Sequence, residues 1–228
     1  RPVVEPCHLR AVALRSGWPG GPAAGPLTLD LPPGTRIAVV GSSGSGKTST
    51  LMTLAGLLEP AAGTVTLGGV PLAELDPAAL RRTVGFFAED AHLFETSVLE
   101  NLRVARGDLT EAEALAVLGD VGLGEWVAGL PEGLHSTLVG GARAVSGGQR
   151  RRLLLARALV SPARVLLLDE PTEHLDAADG AQLQRLLLDR DAGFVASERT
   201  VVVVTHQLPG DTAADLVVRL RKNSLPAV

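Results

Sequence analysis

Apolar residues along this chain change their spacing several times, and each change marks an element. Residues 9–35 read as short strands around a Gly/Pro-rich loop from Ser16 to Pro26. An unbroken β run, Arg36-Ile-Ala-Val-Val40, follows, then a glycine-rich turn. From Lys47 to about Leu58 the period becomes helical, with Leu51, Leu54, Ala55 and Leu58 on one face. Gly63-Thr-Val-Thr-Leu67 before Gly68-Gly69 predicts a strand and a turn. Asp76-Pro77 predicts an N-cap followed by a proline in the first helical turn. Thr96 to Val160 is mostly helical, with breaks at Gly122–Gly124 and Pro131–Gly147. β character returns at Val165–Asp169 and Thr200–Thr205, with a helix over Ala177–Leu188 between them. The simplest architecture is an α/β core with an N-terminal antiparallel β region and an inserted helical lobe. The core is expected over about residues 1–90 and 161–228, and the lobe over 91–160.

Composition narrows the classes. Of 228 residues, 46% are hydrophobic and 20% charged, enough to bury one substantial core. The net charge of −4, without long runs of either sign, argues against a nucleic-acid partner. A lone cysteine, Cys7, excludes an intrachain disulfide and any multi-cysteine metal site. The longest strongly apolar runs are Ile37–Val40, Val165–Leu168 and Val201–Val204, far below the ~20 residues that span a bilayer. No signal-peptide pattern opens the sequence. The expectation is a soluble chain, whether whole or cut from a membrane protein.

The glycine-rich turn carries chemistry. Gly41-Ser42-Ser43-Gly44-Ser45-Gly46-Lys47-Thr48 fits the phosphate-binding loop pattern, between a predicted strand and a predicted helix. Its glycines let successive backbone N–H groups face phosphate oxygens, and the helix start adds partial positive charge. Lys47 then suits the β- and γ-phosphates of ATP, and the Thr48 hydroxyl suits Mg²⁺. Val165-Leu-Leu-Leu-Asp169-Glu170 is an apolar strand delivering two carboxylates to a sheet edge. Asp169 can hold Mg²⁺ through water, and Glu170 can polarise an attacking water.

Val145-Ser146-Gly147-Gly148-Gln149 opens a helical run through Leu159 and resembles the LSGGQ signature of ABC (ATP-binding cassette) proteins. In that family the serine and glycines close over the γ-phosphate held by the opposite subunit, so the resemblance implies a second cassette as partner. Glu173-His-Leu-Asp176 resembles the family's D-loop, usually SALD, with Leu175 and Asp176 kept. His206 resembles the switch histidine that contacts the γ-phosphate, and Trp18 stands where the family stacks an aromatic on adenine. Leu130-Pro-Glu-Gly-Leu134 and Thr137-Leu-Val-Gly140 resemble the exporter-type segment that touches coupling helices of a membrane domain. Glu125-Trp126, Leu130-Pro131 and Thr205-His-Gln-Leu-Pro209 look most like the CydC half of CydDC-type heterodimers. The resemblance implies an ATPase motor at the cytoplasmic face of the membrane, one of two non-identical cassettes, with the transmembrane domain absent from this chain.

Two departures stand out. Glu89 occupies the position of the family's Mg²⁺-sensing glutamine, and no glutamine precedes Gln149. As a third metal candidate beside Thr48 and Asp169, Glu89 adds negative charge near the γ-phosphate. Gly141 stands where the exporter segment usually has glutamate. The Glu89 departure leaves open a second class, a nucleotide-gated regulatory module with very slow turnover.

Overall fold

The computed structural model describes residues 1–2, 5–88 and 90–221, arranged in two compact units that interleave along the chain. The first comprises Arg1–Phe86, Ala163–Glu170 and the described residues from Gln184 on; the second comprises Phe87–Pro162 and Pro171–Leu183.

The first unit contains β1 (Leu9–Ser16), β2 (Ala24–Leu31), β3 (Arg36–Gly41), α1 (Lys47–Leu54), β4 (Ala62–Leu67), β5 (Val70–Pro71), α2 (Pro77–Thr83) and β6 (Val84–Phe87). After the helical insertion come β7 (Val165–Asp169), β8 (Thr200–Thr205) and β9 (Leu216–Leu220). An antiparallel sheet has the order β2-β1-β4-β5, and a second sheet has the order β6-β7-β8-β3-β9. In the second sheet β7, β8, β3 and β9 run parallel. Every residue of β7 and β8 is buried, as are Arg36–Val40 of β3, which is why these strands read as continuous apolar runs. Leu51 and Leu54 of α1 fill the core between Leu9, Leu14, Leu29 and Leu31 of one sheet and Ile37, Val39, Leu167 and Val202 of the other.

In β1 the inward positions run Leu9, Ala11, then Leu14, because a bulge at Ala13 (φ 48°) adds one residue. Gly25 and Gly63 flank that bulge. A Cβ on either would come within 2.3–2.4 Å of the Leu14, Ala13 or Val12 carbonyl oxygens, so only glycine lets the strands close here. Helix α1 ends at Leu54 rather than near Leu58. Gly56 takes φ 71°, and the Leu57 and Gly56 N–H groups bond the Met52 and Thr53 carbonyls at 2.9 and 3.1 Å, a Schellman closure. Asp76 caps α2 by accepting from the Ala79 N–H at 2.8 Å, with Pro77 in the first turn. Strands β5, β6 and β9 were not legible from the pattern. The first two are too short to show a period, and β9 is an edge strand with Leu216 and Val217 exposed.

The second unit holds α3 (Val98–Arg103), α4 (Glu111–Asp120), α5 (Gly124–Ala128) and α6 (Gly147–Val160). Helix α7 (Ala177–Leu188) begins in this unit and ends in the first. Buried Asn101 organises the helical unit. Its Oδ1 accepts from the Phe94 N–H at 2.9 Å and from Arg157 at 2.9 Å, and its Nδ2 donates to the Phe94 and Ser97 carbonyls, both at 3.0 Å. Arg157, buried on α6, also donates to the Asn101 and His92 carbonyls at 2.8 and 2.6 Å. Burial pulls its guanidinium pKa down to about 10, still charged at neutral pH. Asn101→Ala strands several of these buried groups together and is expected to cost about 2–4 kcal/mol, read as a lowered denaturation midpoint in urea.

Candidate active site

The loop between β3 and α1 is shaped by two left-handed glycines, Gly44 (φ 75°) and Gly46 (φ 87°). Gly46 is the N-cap of α1 and supplies no side-chain acceptor, so the first N–H groups of the helix are left for a ligand. Lys47 is buried. Its Nζ donates to the carbonyls of Gly41 and Ser42 at 2.9 and 3.2 Å and lies 3.7 Å from Glu170 Oε1. The ammonium therefore closes the loop on itself while facing a carboxylate. Ser45 is buried as well, and among the described residues its hydroxyl has no hydrogen-bond partner. A ligand oxygen entering the loop would satisfy it.

Parallel register carries the acids to the same edge. Val40 pairs with Thr205 and Asp169 with Val204, so β3, β8 and β7 end side by side. Thr48 Oγ1 donates to Asp169 Oδ2 at 2.7 Å. A hydroxyl and a carboxylate are hard oxygen donors, and this pair fits Mg²⁺, which takes few protein ligands and draws the rest from phosphate and water. Among the described residues no cluster of three or more His, Cys, Asp or Glu offers a caged site. Glu89 lies outside the described residues.

Glu170 adopts φ 45°, a left-handed conformation that costs a non-glycine residue about 1–3 kcal/mol. Its N–H bonds the Val204 carbonyl at 3.0 Å, which holds the turn. The carboxylate, 12% exposed, accepts from the His206 N–H at 3.3 Å through Oε2, and His206 Nδ1 lies 3.1 Å from the same oxygen. One residue that the sequence reading passed over, Gln184, supports this arrangement. Buried Gln184 donates to Thr205 Oγ1 at 3.0 Å, and Thr205 Oγ1 donates to the Gln207 carbonyl at 2.7 Å, bracketing His206. Gln184 has no motif signature, since a lone Gln on a helix gives no pattern.

Trp18 is 58% exposed, on the loop between β1 and β2. The end of β1 is tied to α1, and the start of β2 lies against the phosphate-binding loop. Ser16 Oγ and Thr50 Oγ1 are 2.7 Å apart, and a Cβ on Gly46 would sit 2.5 Å from that of Ala24.

In the helical unit, Ser146 caps α6 in a reciprocal box. Ser146 Oγ accepts from the Gln149 N–H at 3.2 Å, and Gln149 Oε1 accepts from the Ser146 N–H at 2.9 Å. Gly147 and Gly148 lie against His174, the former 3.7 Å (from an added Cβ) from its Cβ. Asp176 caps α7, accepting from the Asp179 N–H at 2.9 Å, and this bond lowers its carboxyl pKa. Gly141 has φ 58°, and a Cβ there would lie 2.8 Å from the Leu93 carbonyl oxygen. The backbone at 141 thus has no room for a side chain.

A family profile described as ABC transporter matches residues 25–173. The chain belongs to the ABC transporter family. It is 39% identical over 194 residues to the mitochondrial potassium channel ATP-binding subunit of Rattus norvegicus, covering 84% of this chain and 26% of that protein. It is 34% identical over 204 residues to the ATP-dependent lipid A-core flippase of Chromobacterium violaceum, covering 90% of this chain and 34% of that one. A bacterial Atm1-family ABC exporter solved with ATP bound superposes with a TM-score of 0.83 at 25% identity, over 98% of this chain and 39% of the exporter chain. The chain thus spans about a third or less of the length of these curated relatives. Among the described residues no helix is long and apolar enough to cross a membrane. As an ABC-type ATPase fold, the first unit joins strand-end acids to the phosphate-binding loop, and the second carries the signature helix.

Gly46→Ala places a side chain both at φ 87° and against Ala24. The expected result is a loss of about 1–3 kcal/mol of stability. ATP affinity should fall at least about tenfold in the same variant, since the cap no longer presents its N–H groups. Thermal unfolding and titration calorimetry read the two effects separately.

Proposed function

We propose that this chain is the ATP-hydrolysing motor of an exporter-type ABC transporter, working as one of two paired cassettes. The observation that carries the reading is the Lys47–Glu170–His206 chain of contacts, at 3.7 and 3.1 Å, beside the Thr48–Asp169 pair. In this reading the phosphate-binding loop from Gly41 to Thr48 wraps the β- and γ-phosphates, and Trp18 stacks on the adenine. Thr48 and Asp169 hold Mg²⁺, with Glu89 as a third candidate, and the ion when bound offsets phosphate charge. Glu170 accepts a proton from the attacking water. His206 fixes the Glu170 carboxylate and reaches towards the γ-phosphate. The strained backbone of Glu170 fits such a role, because a left-handed turn at a strand end aims the carboxylate back over the sheet edge.

The signature residues Ser146, Gly147, Gly148 and Gln149 serve the nucleotide of the other cassette, so each complete site is shared. Phe94 and Val139, exposed apolar residues of the helical unit, suit contact with a membrane domain, as the resemblance of residues 130–140 to the exporter segment implies. The resemblance of Glu125-Trp126, Leu130-Pro131 and Thr205–Pro209 to the CydC half of CydDC-type heterodimers suggests a non-identical partner and transport linked to thiols or haem, at the cytoplasmic face of the membrane.

The test uses the full-length protein with its partner cassette. Glu170→Gln should keep ATP binding and lower turnover about 100-fold or more, because an amide cannot take a proton from water. Lys47→Ala should weaken both ATP and ADP, losing the phosphate contact and the loop closure at Gly41 and Ser42. Undiminished turnover in Glu170→Gln would remove Glu170 as the base. Very slow turnover in the parent, with ATP-driven pairing intact, would favour a nucleotide-gated regulatory module.

A further inference from the structure

Behind the phosphate-binding loop stand two buried hydroxyls that face no ligand. Ser16, 2% exposed, ends β1, and Thr50, 1% exposed, lies on α1. Their side-chain oxygens are 2.7 Å apart. Thr50 Oγ1 also donates to the Gly46 carbonyl at 2.7 Å. A carbonyl only accepts, so that bond uses the one proton of the Thr50 hydroxyl, and Ser16 is left to donate to Thr50. The three groups form a directed relay, from the Ser16 O–H to the Thr50 O–H to the Gly46 carbonyl. All three belong to the first unit.

The relay ends on the residue least able to hold its own conformation. Gly46 takes φ 87°, and a Cβ there would meet that of Ala24 at 2.5 Å, so the position needs glycine and inherits its rotational freedom. Hydrogen bonds fix its carbonyl instead, from the Thr50 N–H at 2.9 Å and from the Ser49 and Thr50 hydroxyls at 3.0 and 2.7 Å. The peptide joining Gly46 to Lys47 is planar and trans, so pinning the carbonyl along the helix turns the Lys47 N–H outward, away from α1. The bonds from Ser49 and Thr50 stay within one helical turn. The Ser16 bond crosses from the antiparallel sheet, at the point where the loop bearing Trp18 leaves β1.

We propose that Ser16 and Thr50 are positioning residues for the nucleotide: their relay holds the Gly46–Lys47 peptide with its N–H aimed at a bound phosphate. The inference rests on the nucleotide reading above. Neither hydroxyl touches the ligand, and Ser16 acts only through Thr50. The anchoring of the end of β1 is thereby coupled to phosphate affinity. Backbone N–H groups of such a loop cradle the phosphates that ATP and ADP share, so the relay strengthens both.

Titration calorimetry with ATP and ADP, and steady-state ATPase kinetics, test the relay on the full-length protein with its partner. Thr50→Val keeps the side-chain shape and removes the hydroxyl. It should weaken ATP and ADP alike, about three- to tenfold, and raise KM for ATP more than it lowers kcat. Thr50→Ser restores the hydroxyl and should recover most of that affinity. Ser16→Ala should cost about two- to threefold, and adding it to Thr50→Val should cost nothing further. Losses that add in the double variant give the two hydroxyls separate packing roles and overturn the relay. A Thr50→Ser variant as weak as Thr50→Val also overturns it. Unchanged affinities in Thr50→Val, with Lys47→Ala losing ATP and ADP, overturn this inference alone. If Thr50→Val does not fold, parent affinity in Ser16→Ala overturns the inference, and a twofold or greater loss of both nucleotides upholds it. Retained ATP and ADP affinity in Lys47→Ala overturns the nucleotide reading and this inference with it.

Discussion

The register that sets Val40 beside Thr205 and Asp169 beside Val204 is the constraint on which the site depends. Strands β3, β7 and β8 are buried almost throughout, so hydrophobic burial on both faces holds them together, and the parallel ladder sets which of their ends come level. Because the strands run parallel, each returns to the same edge, and each ends at residues to which the proposed function gives a role. β3 runs into the phosphate-binding loop, β7 into Asp169 and Glu170, and β8 into Thr205 and His206. Reactive groups far apart in sequence converge without any of them contributing to the core.

At that edge, polar groups are held by one another more than by solvent. Lys47 is turned inward to two loop carbonyls and faces Glu170, and Glu170 is steadied by His206. In the proposed reading, phosphate oxygens would take the place of the loop carbonyls as acceptors for Lys47. The buried Ser45 hydroxyl and the uncapped start of α1 are donors awaiting the same exchange. In the helical unit the opposite strategy holds: the start of α6 is capped by its own residues, and Asn101 and Arg157 fasten it internally. One unit keeps its helix start open for a ligand, and the other keeps a rigid helix whose glycines stay accessible.

Much of this was legible from the sequence because it is local. The phosphate-binding loop, the acid-ended strand and the capped signature helix are contiguous strings whose spacing carries their geometry. Asp76, Ser146 and Gln149 sit in the caps their residue types favour. Helix α7 keeps the bounds its periodicity predicts, Ala177–Leu188, because nothing within it breaks the helix. Helix α1 stops early because a left-handed Gly56 overrides the apolar period, a turn signal weaker than the leucines around it.

The sequence by itself determined which groups exist and how each sits on its own strand, turn or helix, since backbone propensity and short-range hydrogen bonds decide those. Only the tertiary structure decided which of them meet. Thr48 reaches Asp169, Gln184 steadies Thr205, and His174 settles on Gly147 through contacts between residues far apart in the chain, and no spacing rule encodes such pairs. Gly141 is the plainest case. In sequence it is a missing glutamate, and in the fold it is a left-handed turn pressed on the Leu93 carbonyl, where any side chain would collide.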